Sequence, residues 1–271
     1  MGLLRNAPRR IGRFISDHWK DGGLPAVNVV ERDGVRILCL DSNSVQSSMK
    51  ISDPYQLEIA YTRGMMCFML FTKTAKNVLA IGLGGGSLPK YIHHFLPQMK
   101  TLVVELNPAV IQAARTQFLL PPDDERLTVL QENGAHYVTE HDECADVILL
   151  DAYDGKGVAP ELSSQAFLDR CHSALTEHGI LTINLWSSDK SYQTYLERIQ
   201  TSFDGRVLVM PTGKPGNIVV FAFKGYLGDL RWSALKERAK LLGVTHTKIE
   251  FIKFLDSLRD YNLHNPTRLV V

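Results

Sequence analysis

Glycines in one short turn are the first residues of this 271-residue chain whose spacing points to chemistry. They follow the apolar run 78–81 and precede an amphipathic stretch, and they are Gly82, Gly84, Gly85 and Gly86. Without a Cβ these residues let the backbone approach a ligand closely, and the next helix offers free N–H groups to an electron-rich atom. Glu105 ends the following apolar run, where its carboxylate can accept both hydrogen bonds of a ribose diol. The stretch 78–105 therefore predicts a nucleoside site.

The glycine turn alone does not choose among nucleosides. Turns of this type serve NAD, FAD and S-adenosylmethionine alike, and the missing Gly-Lys-Ser/Thr sequence excludes a Walker-type phosphate loop. Polar residues after two later strands narrow the choice, namely Asn133-Gly134 and Asp151-Ala152-Tyr153-Asp154. Ligands of open α/β sheets lie beyond the carboxyl ends of the strands, so these residues face the same crevice. Asn133 is placed there to recognise an adenine edge.

Asp151 and Asp154 suit a reaction on an amine. An alkylammonium titrates near pH 10, so forming the free-base nucleophile at neutral pH costs roughly 4 kcal/mol. A carboxylate can bind the cation and then accept its proton, and Tyr153 can pack against a sulfonium or ammonium by cation–π attraction. Acids at strand ends often only cap the next helix or bind water. The position of this pair in line with the glycine turn favours catalysis.

The elements that position these residues alternate between strands and helices. Apolar runs predict parallel strands at 78–81, 102–105, 127–130, 147–151 and 180–186. Amphipathic segments predict helices at 88–95, 108–118, 135–141, 164–175 and 192–203. This alternation predicts a doubly wound, mostly parallel α/β sheet with right-handed crossovers. His178-Gly179 is the predicted turn before the fifth strand, and the runs 207–210 and 218–223 predict an antiparallel hairpin at the sheet edge.

The chain divides into three predicted parts. Residues 1–72 hold a basic arm, a small antiparallel β lobe and a connecting helix, residues 73–226 the nucleoside-binding catalytic domain, and residues 227–271 a helical extension. In the lobe, Asp33-Gly34 between apolar runs predicts a hairpin, and the stretch 44–51 predicts a third strand. The stretch 54–71 predicts one apolar helix with Gly64 as its weak point.

Bulk composition excludes several classes of protein. Thirty Lys+Arg against 29 Asp+Glu leave a net charge of +1, which implies neither nucleic acid nor an anionic membrane as partner. No apolar run approaches the roughly twenty residues that cross a bilayer, and residues 1–20 lack the features of a secretory signal. The dispersed cysteines predict a reducing compartment without disulfides or a metal site. We therefore expect a cytoplasmic protein.

Three motifs of the chain resemble those of the spermidine synthase family of polyamine aminopropyltransferases. They are Gly-Leu-Gly-Gly-Gly-Ser, Val-Val-Glu-Leu-Asn-Pro and Leu-Leu-Asp-Ala-Tyr-Asp-Gly, within a similarity that covers about residues 27–223. That family shares its sheet topology with class I S-adenosylmethionine-dependent methyltransferases. The resemblance therefore implies a seven-stranded Rossmann-like sheet with a small N-terminal β lobe.

The resemblance also implies roles for individual residues. It implies that Asp151 deprotonates the attacking amine and that Asp154 helps to hold it. Glu105 holds the ribose and Asn133-Gly134 meets the adenine. The remaining residues that it assigns to the donor pocket are Gln46, Gly82, Gly84 and Gly86.

Departures from the family's pattern concern the charges around the substrates. The family usually carries an aspartate for the aminopropyl ammonium of the donor, and this chain has Gly85 there. Its Tyr-His-Glu becomes Tyr61-Thr62-Arg63, and Arg63 in the amine pocket would favour an acceptor with a carboxylate or phosphate. Asn133 replaces a further aspartate. These changes weaken the negative field that attracts a polycation.

Several functions follow from these residues. The first is transfer of an alkyl group from an adenosyl-sulfonium donor, decarboxylated S-adenosylmethionine or S-adenosylmethionine itself, to a small amine acceptor without a metal. The second is an S-adenosylmethionine-dependent methyltransferase, which Gly85 favours, and the third is a catalytically decayed nucleoside-binding module. An NAD-dependent oxidoreductase comes last, because no hydride-transfer site follows the fourth strand. Family members commonly form homodimers, although the sequence shows no interface.

Overall fold

The computed structural model describes residues 23–41, 45–153, 159–213, 216–227 and 229–271. Within them the chain forms a three-stranded antiparallel sheet and a seven-stranded mixed sheet. The predicted basic arm lies outside the described residues. Every helix in the described ranges is too short or too polar to cross a membrane.

The small sheet confirms the predicted N-terminal lobe. Its strands, in the spatial order β1-β2-β3, are β1 Val27–Arg32, β2 Val35–Leu40 and β3 Val45–Lys50. The hairpin between β1 and β2 turns at Asp33 and Gly34, whose φ angles of 50° and 73° are both positive. Two consecutive positive φ angles match the right-handed twist of the flanking strands, and an Asp-Gly pair tolerates them.

The large sheet confirms the predicted doubly wound architecture. Its strands are β4 Asn77–Ile81, β5 Lys100–Glu105, β6 Leu127–Gln131, β7 Ala145–Leu150, β8 Leu175–Trp186, β9 Val207–Pro211 and β10 Asn217–Phe223. They lie in the order β6-β5-β4-β7-β8-β10-β9, parallel from β6 to β8, with β10 antiparallel to β8 and to β9. The predicted antiparallel edge is thus present. The strand order reverses around β4 and β7, which is where open α/β sheets bind ligands.

Helices cover both faces of this sheet. They are α1 Ala60–Met65, α2 Ser87–Phe95, α3 Pro108–Gln117, α4 Gly134–Glu140, α5 Gln165–Ala174, α6 Tyr192–Ser202, α7 Trp232–Thr245 and α8 Phe251–Tyr261. Strand β4 shows the result: Val78 and Ala80 belong to one apolar core, and Leu79 and Ile81 belong to the other. Because side chains alternate across a strand, a run that is apolar at every position is buried on both faces.

Two predicted elements have different bounds in the structure. The helix predicted over 54–71 is instead the short α1 followed by a 3₁₀ helix, Met66–Leu70. Gly64 is a packing position there, because a Cβ would lie 2.5 Å from Thr212 Cγ2. The predicted turn at His178-Gly179 is wrong, since β8 already begins at Leu175. The register of pairing between β7 and β8 shifts here, from Ala145 opposite Leu175 to Val147 opposite Ile180, so the extra residues remain within the strand as a bulge.

The C-terminal helices cover the edge of the large sheet. Helix α8 packs against β9, and α7 packs against the 3₁₀ helix. Directly after α8, Asn262 Oδ1 accepts from Val209 N at 2.8 Å, and Asn262 Nδ2 donates to Val209 O at 2.7 Å. A side-chain amide thus satisfies backbone groups of β9 that an unprotected edge strand would expose to another chain.

Candidate active site

A cavity at the carboxyl ends of β4 to β7 brings most of the predicted site residues together. The small sheet and α1 close its other side. Predicted residues that line it are Gln46, Tyr61, Gly82, Gly84, Glu105, Asn133, Gly134, Asp151 and Tyr153. Among the described residues Gly85, Gly86 and Arg63 are not part of the lining. Asp154 lies outside the described residues.

Gly82 brings the end of β4 against the end of β7. Its φ of 93° is in the left-handed region, and a Cβ there would collide with the carbonyl oxygen of Asp151. Asp151 N in turn donates to Ile81 O at 3.0 Å. Only glycine permits this approach, so the turn and the acidic residue share one edge of the cavity.

Glu105 ties the glycine turn to the end of β5. Its Oε2 accepts from Leu83 N at 2.9 Å, and its Oε1 accepts from Asn107 N at 2.8 Å. Burial raises the pKa of Glu105, while these backbone hydrogen bonds act in the opposite direction. The Leu106 backbone N–H donates to the same carboxylate. A carboxylate accepts at about four lone-pair positions, so Glu105 can hold the turn and still accept a hydrogen bond from a ligand.

Asp151 is a half-buried carboxylate with two side-chain hydrogen-bond donors. Asn184 Nδ2 donates to Asp151 Oδ1 at 3.0 Å. The Tyr61 hydroxyl lies within reach of the Asp151 carboxylate and 3.4 Å from the Gln46 carbonyl oxygen. Burial raises the pKa of Asp151 to about 6, although the hydrogen bonds from Asn184 and Tyr61 favour its ionised form. A carboxylate with this pKa is largely ionised at neutral pH and is a stronger base than an ordinary aspartate.

Asn184 and Asn217 support Asp151, and the sequence analysis missed both. Asn184 is 2% exposed, and its Oδ1 accepts from Asn217 Nδ2 at 2.9 Å. This bond fixes the orientation of the Asn184 amide, so its NH₂ group faces Asp151. The available signal was an asparagine inside the otherwise apolar run of β8.

Tyr153 is held beside the same carboxylate. Its hydroxyl donates to the Asn184 backbone oxygen at 2.8 Å, and its ring stacks on Trp186 with centroids 5.1 Å apart. Burial, and then the charge of Asp151, raises the pKa of Tyr153. The tyrosine therefore stays protonated and presents an aromatic surface to the cavity.

Asn133 lies at the opposite end of the cavity, where it caps α4. Its Oδ1 accepts from Ala135 N at 2.8 Å and from His136 N at 3.3 Å. Its Nδ2 donates to Glu161 Oε2 at 3.0 Å. Glu161 belongs to the 3₁₀ helix Pro160–Ser163, lines the cavity and was also missed by the sequence analysis. A glutamate after an Ala-Pro pair in a loop gives no periodic signal.

Among the residues that the structure describes, every charged side chain that lines the cavity is a carboxylate. Its ionisable carboxylates are those of Glu105, Asp151 and Glu161, and no lysine, arginine or histidine of the described residues lines the cavity. Such a cavity attracts cations. The described part of the chain contains no group of His, Cys, Asp or Glu side chains arranged to bind a metal ion.

Arg63 and Gly85, two of the departures from the family's charge pattern, both lie outside the described cavity lining. Arg63 Nη1 donates to the carbonyl oxygens of Leu57 and Glu58, both at 2.8 Å, so the guanidinium holds the turn before α1. Gly85 packs against Phe118, and a Cβ at this position would lie 2.7 Å from Phe118 Cδ1 and 2.8 Å from Ser47 Oγ. Phe118 and Ser47 thus occupy the space that a side chain at position 85 would need.

The amino-acid sequence is similar to those of known polyamine aminopropyltransferases. A family model described as the spermine/spermidine synthase domain matches residues 58–227. The polyamine aminopropyltransferase of Chromobacterium violaceum is 36% identical over 248 residues, which cover 92% of this chain and 95% of that enzyme. The polyamine aminopropyltransferase of Neisseria meningitidis serogroup B is 37% identical over 244 residues, covering 90% of this chain and 92% of that one.

Solved structures show the same fold. A spermidine synthase in complex with the transition state analogue AdoDATO has a TM-score of 0.69 at 22% identity and covers 87% of this chain and 82% of its own. Human methyltransferase-like protein 13 in complex with SAH has a TM-score of 0.63 at 25% identity and covers 70% of this chain and 93% of its own. The prediction of a Rossmann-like, methyltransferase-type sheet is confirmed.

Proposed function

Because this chain belongs to the spermine/spermidine synthase family, we propose that its cavity binds an adenosyl-sulfonium donor and that Asp151 activates an amine acceptor beside it. The chain is an aminopropyltransferase-like transferase. The observation that carries the proposal is Asp151 itself, a half-buried carboxylate with a pKa of about 6 at the edge of a cavity whose charged side chains, among the described residues, are all carboxylates. Its neighbours Tyr61 and Tyr153 complete the acceptor side of the site.

Two side chains on the donor side of the cavity can still form hydrogen bonds with a ligand. Glu105 faces the cavity with spare lone pairs and suits a ribose diol, and Gln46 Nε2 is buried without a hydrogen-bond partner among the described residues. An unpaired buried amide N–H gains free energy when a ligand supplies an acceptor. The related structures hold AdoDATO and SAH, which are adenosyl compounds of the proposed kind.

The proposed reaction is a substitution at carbon. Asp151 first binds the ammonium form of the acceptor and then takes one N–H proton. The freed nitrogen pair attacks the methylene next to the donor sulfonium, the new C–N bond forms, and the C–S pair returns to sulfur. The leaving group is the neutral thioether 5′-methylthioadenosine when an aminopropyl group moves. The acidic lining stabilises the positive charge of both substrates.

Methyl transfer from S-adenosylmethionine is the second candidate, and Gly85 favours it. Phe118 and Ser47 occupy the space that an acidic side chain at position 85 would need. The donor tail then meets no carboxylate at that point, so a donor with its own carboxylate is not repelled there.

A cytoplasmic location and a homodimer remain predictions.

Mass spectrometry of a turnover assay tests the two candidates directly. The chain is incubated with a diamine and either decarboxylated S-adenosylmethionine or S-adenosylmethionine, and the nucleoside product is identified. Aminopropyl transfer yields 5′-methylthioadenosine, whereas methyl transfer yields S-adenosylhomocysteine. If neither product forms above the level of an Asp151→Asn control, both candidates are wrong.

A further inference from the structure

The end of the cavity near Asn133 combines apolar walls with a polar edge. Its apolar walls include Ile81, Leu106 and Leu162, and its polar edge is formed by the side chains of Asn133 and Glu161. In the proposed function this is where the base of the donor lies. The inference below rests on that function, because it concerns which base the edge selects.

The orientation of the Asn133 amide is fixed by α4. Its carbonyl oxygen accepts from two backbone N–H groups, those of Ala135 and His136, so both lone pairs of Oδ1 are used. Its NH₂ group points towards Glu161, to which it donates one hydrogen at 3.0 Å. Asn133 can therefore offer a ligand a donor but not an acceptor.

Glu161 supplies the missing acceptor. One carboxylate oxygen, Oε2, takes the hydrogen from Asn133, and this leaves Oε1 without a partner among the described residues. An ionised carboxylate accepts at about four lone-pair positions, so the group has capacity left for a ligand. The edge thus combines a carboxylate acceptor with an amide donor.

We infer that Glu161 is the specificity-determining residue that selects a 6-aminopurine in the donor. The 6-amino group donates to the Glu161 carboxylate, and the adjacent ring nitrogen N1 accepts from the Asn133 amide. A 6-oxopurine presents the opposite pattern, with an oxygen facing the carboxylate and an N1–H facing the amide hydrogen. Binding of such an analogue is strongly weakened, because acceptor then faces acceptor and donor faces donor.

The arrangement makes the effect of Glu161→Gln specific. Asn133 cannot turn, because α4 holds its carbonyl oxygen, so the new glutamine must point its own carbonyl oxygen at Asn133. Its NH₂ group then faces the base. The variant therefore presents a donor where the native chain presents an acceptor, so it matches the oxygen of a 6-oxopurine but leaves the N1–H of that base facing the Asn133 amide, and the preference for a 6-aminopurine is lost.

Calorimetric titration of two nucleosides tests the inference. We expect the native chain to bind 5′-methylthioadenosine about 10- to 100-fold more tightly than 5′-methylthioinosine, the range that one hydrogen bond to a charged group produces. In Glu161→Gln the ratio should fall to about one, because each base then has one matched and one mismatched contact, and in Glu161→Ala it should lie between this value and the native one. Equal weakening of both nucleosides by Glu161→Gln, or an unchanged ratio, overturns the inference.

A matched control is Glu132→Gln. Glu132 precedes the same helix, binds His136 at 2.9 Å and is not in the cavity lining, so its charge is removed near the site without changing the base edge. The control should keep the native ratio, and a ratio near one there would show that bulk charge decides selectivity. If the native chain binds neither nucleoside, the proposed adenosyl donor itself is wrong. The two failures are thus distinguishable.

Discussion

The side-chain amide of Asn184 donates to Asp151 Oδ1 at 3.0 Å from within the strand next to β7. Asn184 is 2% exposed, and Asn217 holds its carbonyl oxygen, so the amide cannot rotate away from the carboxylate. A hydrogen bond to the ionised form lowers a carboxyl pKa, and here it limits the rise that burial causes. Asn184 is therefore a positioning residue for the proposed base.

Asn184→Leu should shift the pH dependence of kcat/KM for the acceptor. Asp151 must be ionised to take a proton, so the native rate should rise with pH through about 6. Loss of the hydrogen bond raises the pKa of Asp151, and the acidic limb should move to higher pH by about one unit. Thr182→Val, a buried change on the same strand, serves as the control. A profile that stays in place in Asn184→Leu would contradict this role.

Asp151→Asn should strongly lower the turnover rate and stabilise the fold at neutral pH. Removing a general base lowers the rate by about 10²- to 10⁴-fold. The folded pKa of Asp151 is raised from 3.8 to about 6, so its contribution to stability is present below pH 3.8 and is lost as pH rises through about 6. The amide of the variant does not ionise, so its stability does not fall as pH rises. We therefore expect the free energy of unfolding of the variant to exceed that of the native chain by about 1–2 kcal/mol at pH 7.5 and to equal it near pH 3.5.

Urea unfolding at both pH values measures this difference. Glu237→Gln, an exposed carboxyl-to-amide change on α7, should leave the stability unchanged at both. A destabilised Asp151→Asn at pH 7.5 would show that burial of the carboxylate carries no such cost.

Gly85→Ala should destabilise the chain, whereas Gly243→Ala should stabilise it. The added methyl group at position 85 overlaps the Phe118 ring and Ser47 Oγ, which predicts a cost of about 1–3 kcal/mol. Gly243 lies in α7 with no other group within 4 Å of an added Cβ, so alanine there should gain about 0.5–1 kcal/mol through helix propensity. Thermal unfolding of the two variants decides the matter, and a neutral Gly85→Ala would mean that Phe118 can move aside.

Arg63→Gln should weaken the fold without changing the choice of acceptor. The guanidinium binds the backbone oxygens of Leu57 and Glu58 and is not part of the described lining. Losing these bonds should cost about 1 kcal/mol, and the ratio of kcat/KM between a diamine and an amino-acid acceptor should stay constant. Arg115→Gln, which breaks the ion pair with Asp123 on the surface, should cost less. An altered acceptor ratio in Arg63→Gln alone would return Arg63 to the acceptor pocket.

The sequence by itself determined the sheet and the main edge of the cavity. Alternating apolar and amphipathic runs predicted the parallel strands, because a strand buried on both faces must be apolar throughout. The carboxyl ends of such strands meet at one edge, so Gly82, Glu105, Asn133 and Asp151 were placed together without knowledge of any contact. The bounds of α1 and β8 were missed, since packing and strand pairing overrode the local pattern.

Only the tertiary structure decided what each side chain contacts. Asn184 and Asn217 meet because β10 pairs with β8, and Glu161 reaches Asn133 from a 3₁₀ helix that lies 28 residues later. The same packing turned Arg63 towards the turn before α1 and filled the space beside Gly85 with Phe118. A residue's type and spacing specify the backbone element that carries it. The direction and partner of its side chain depend on segments far away in the chain, and no local pattern encodes them.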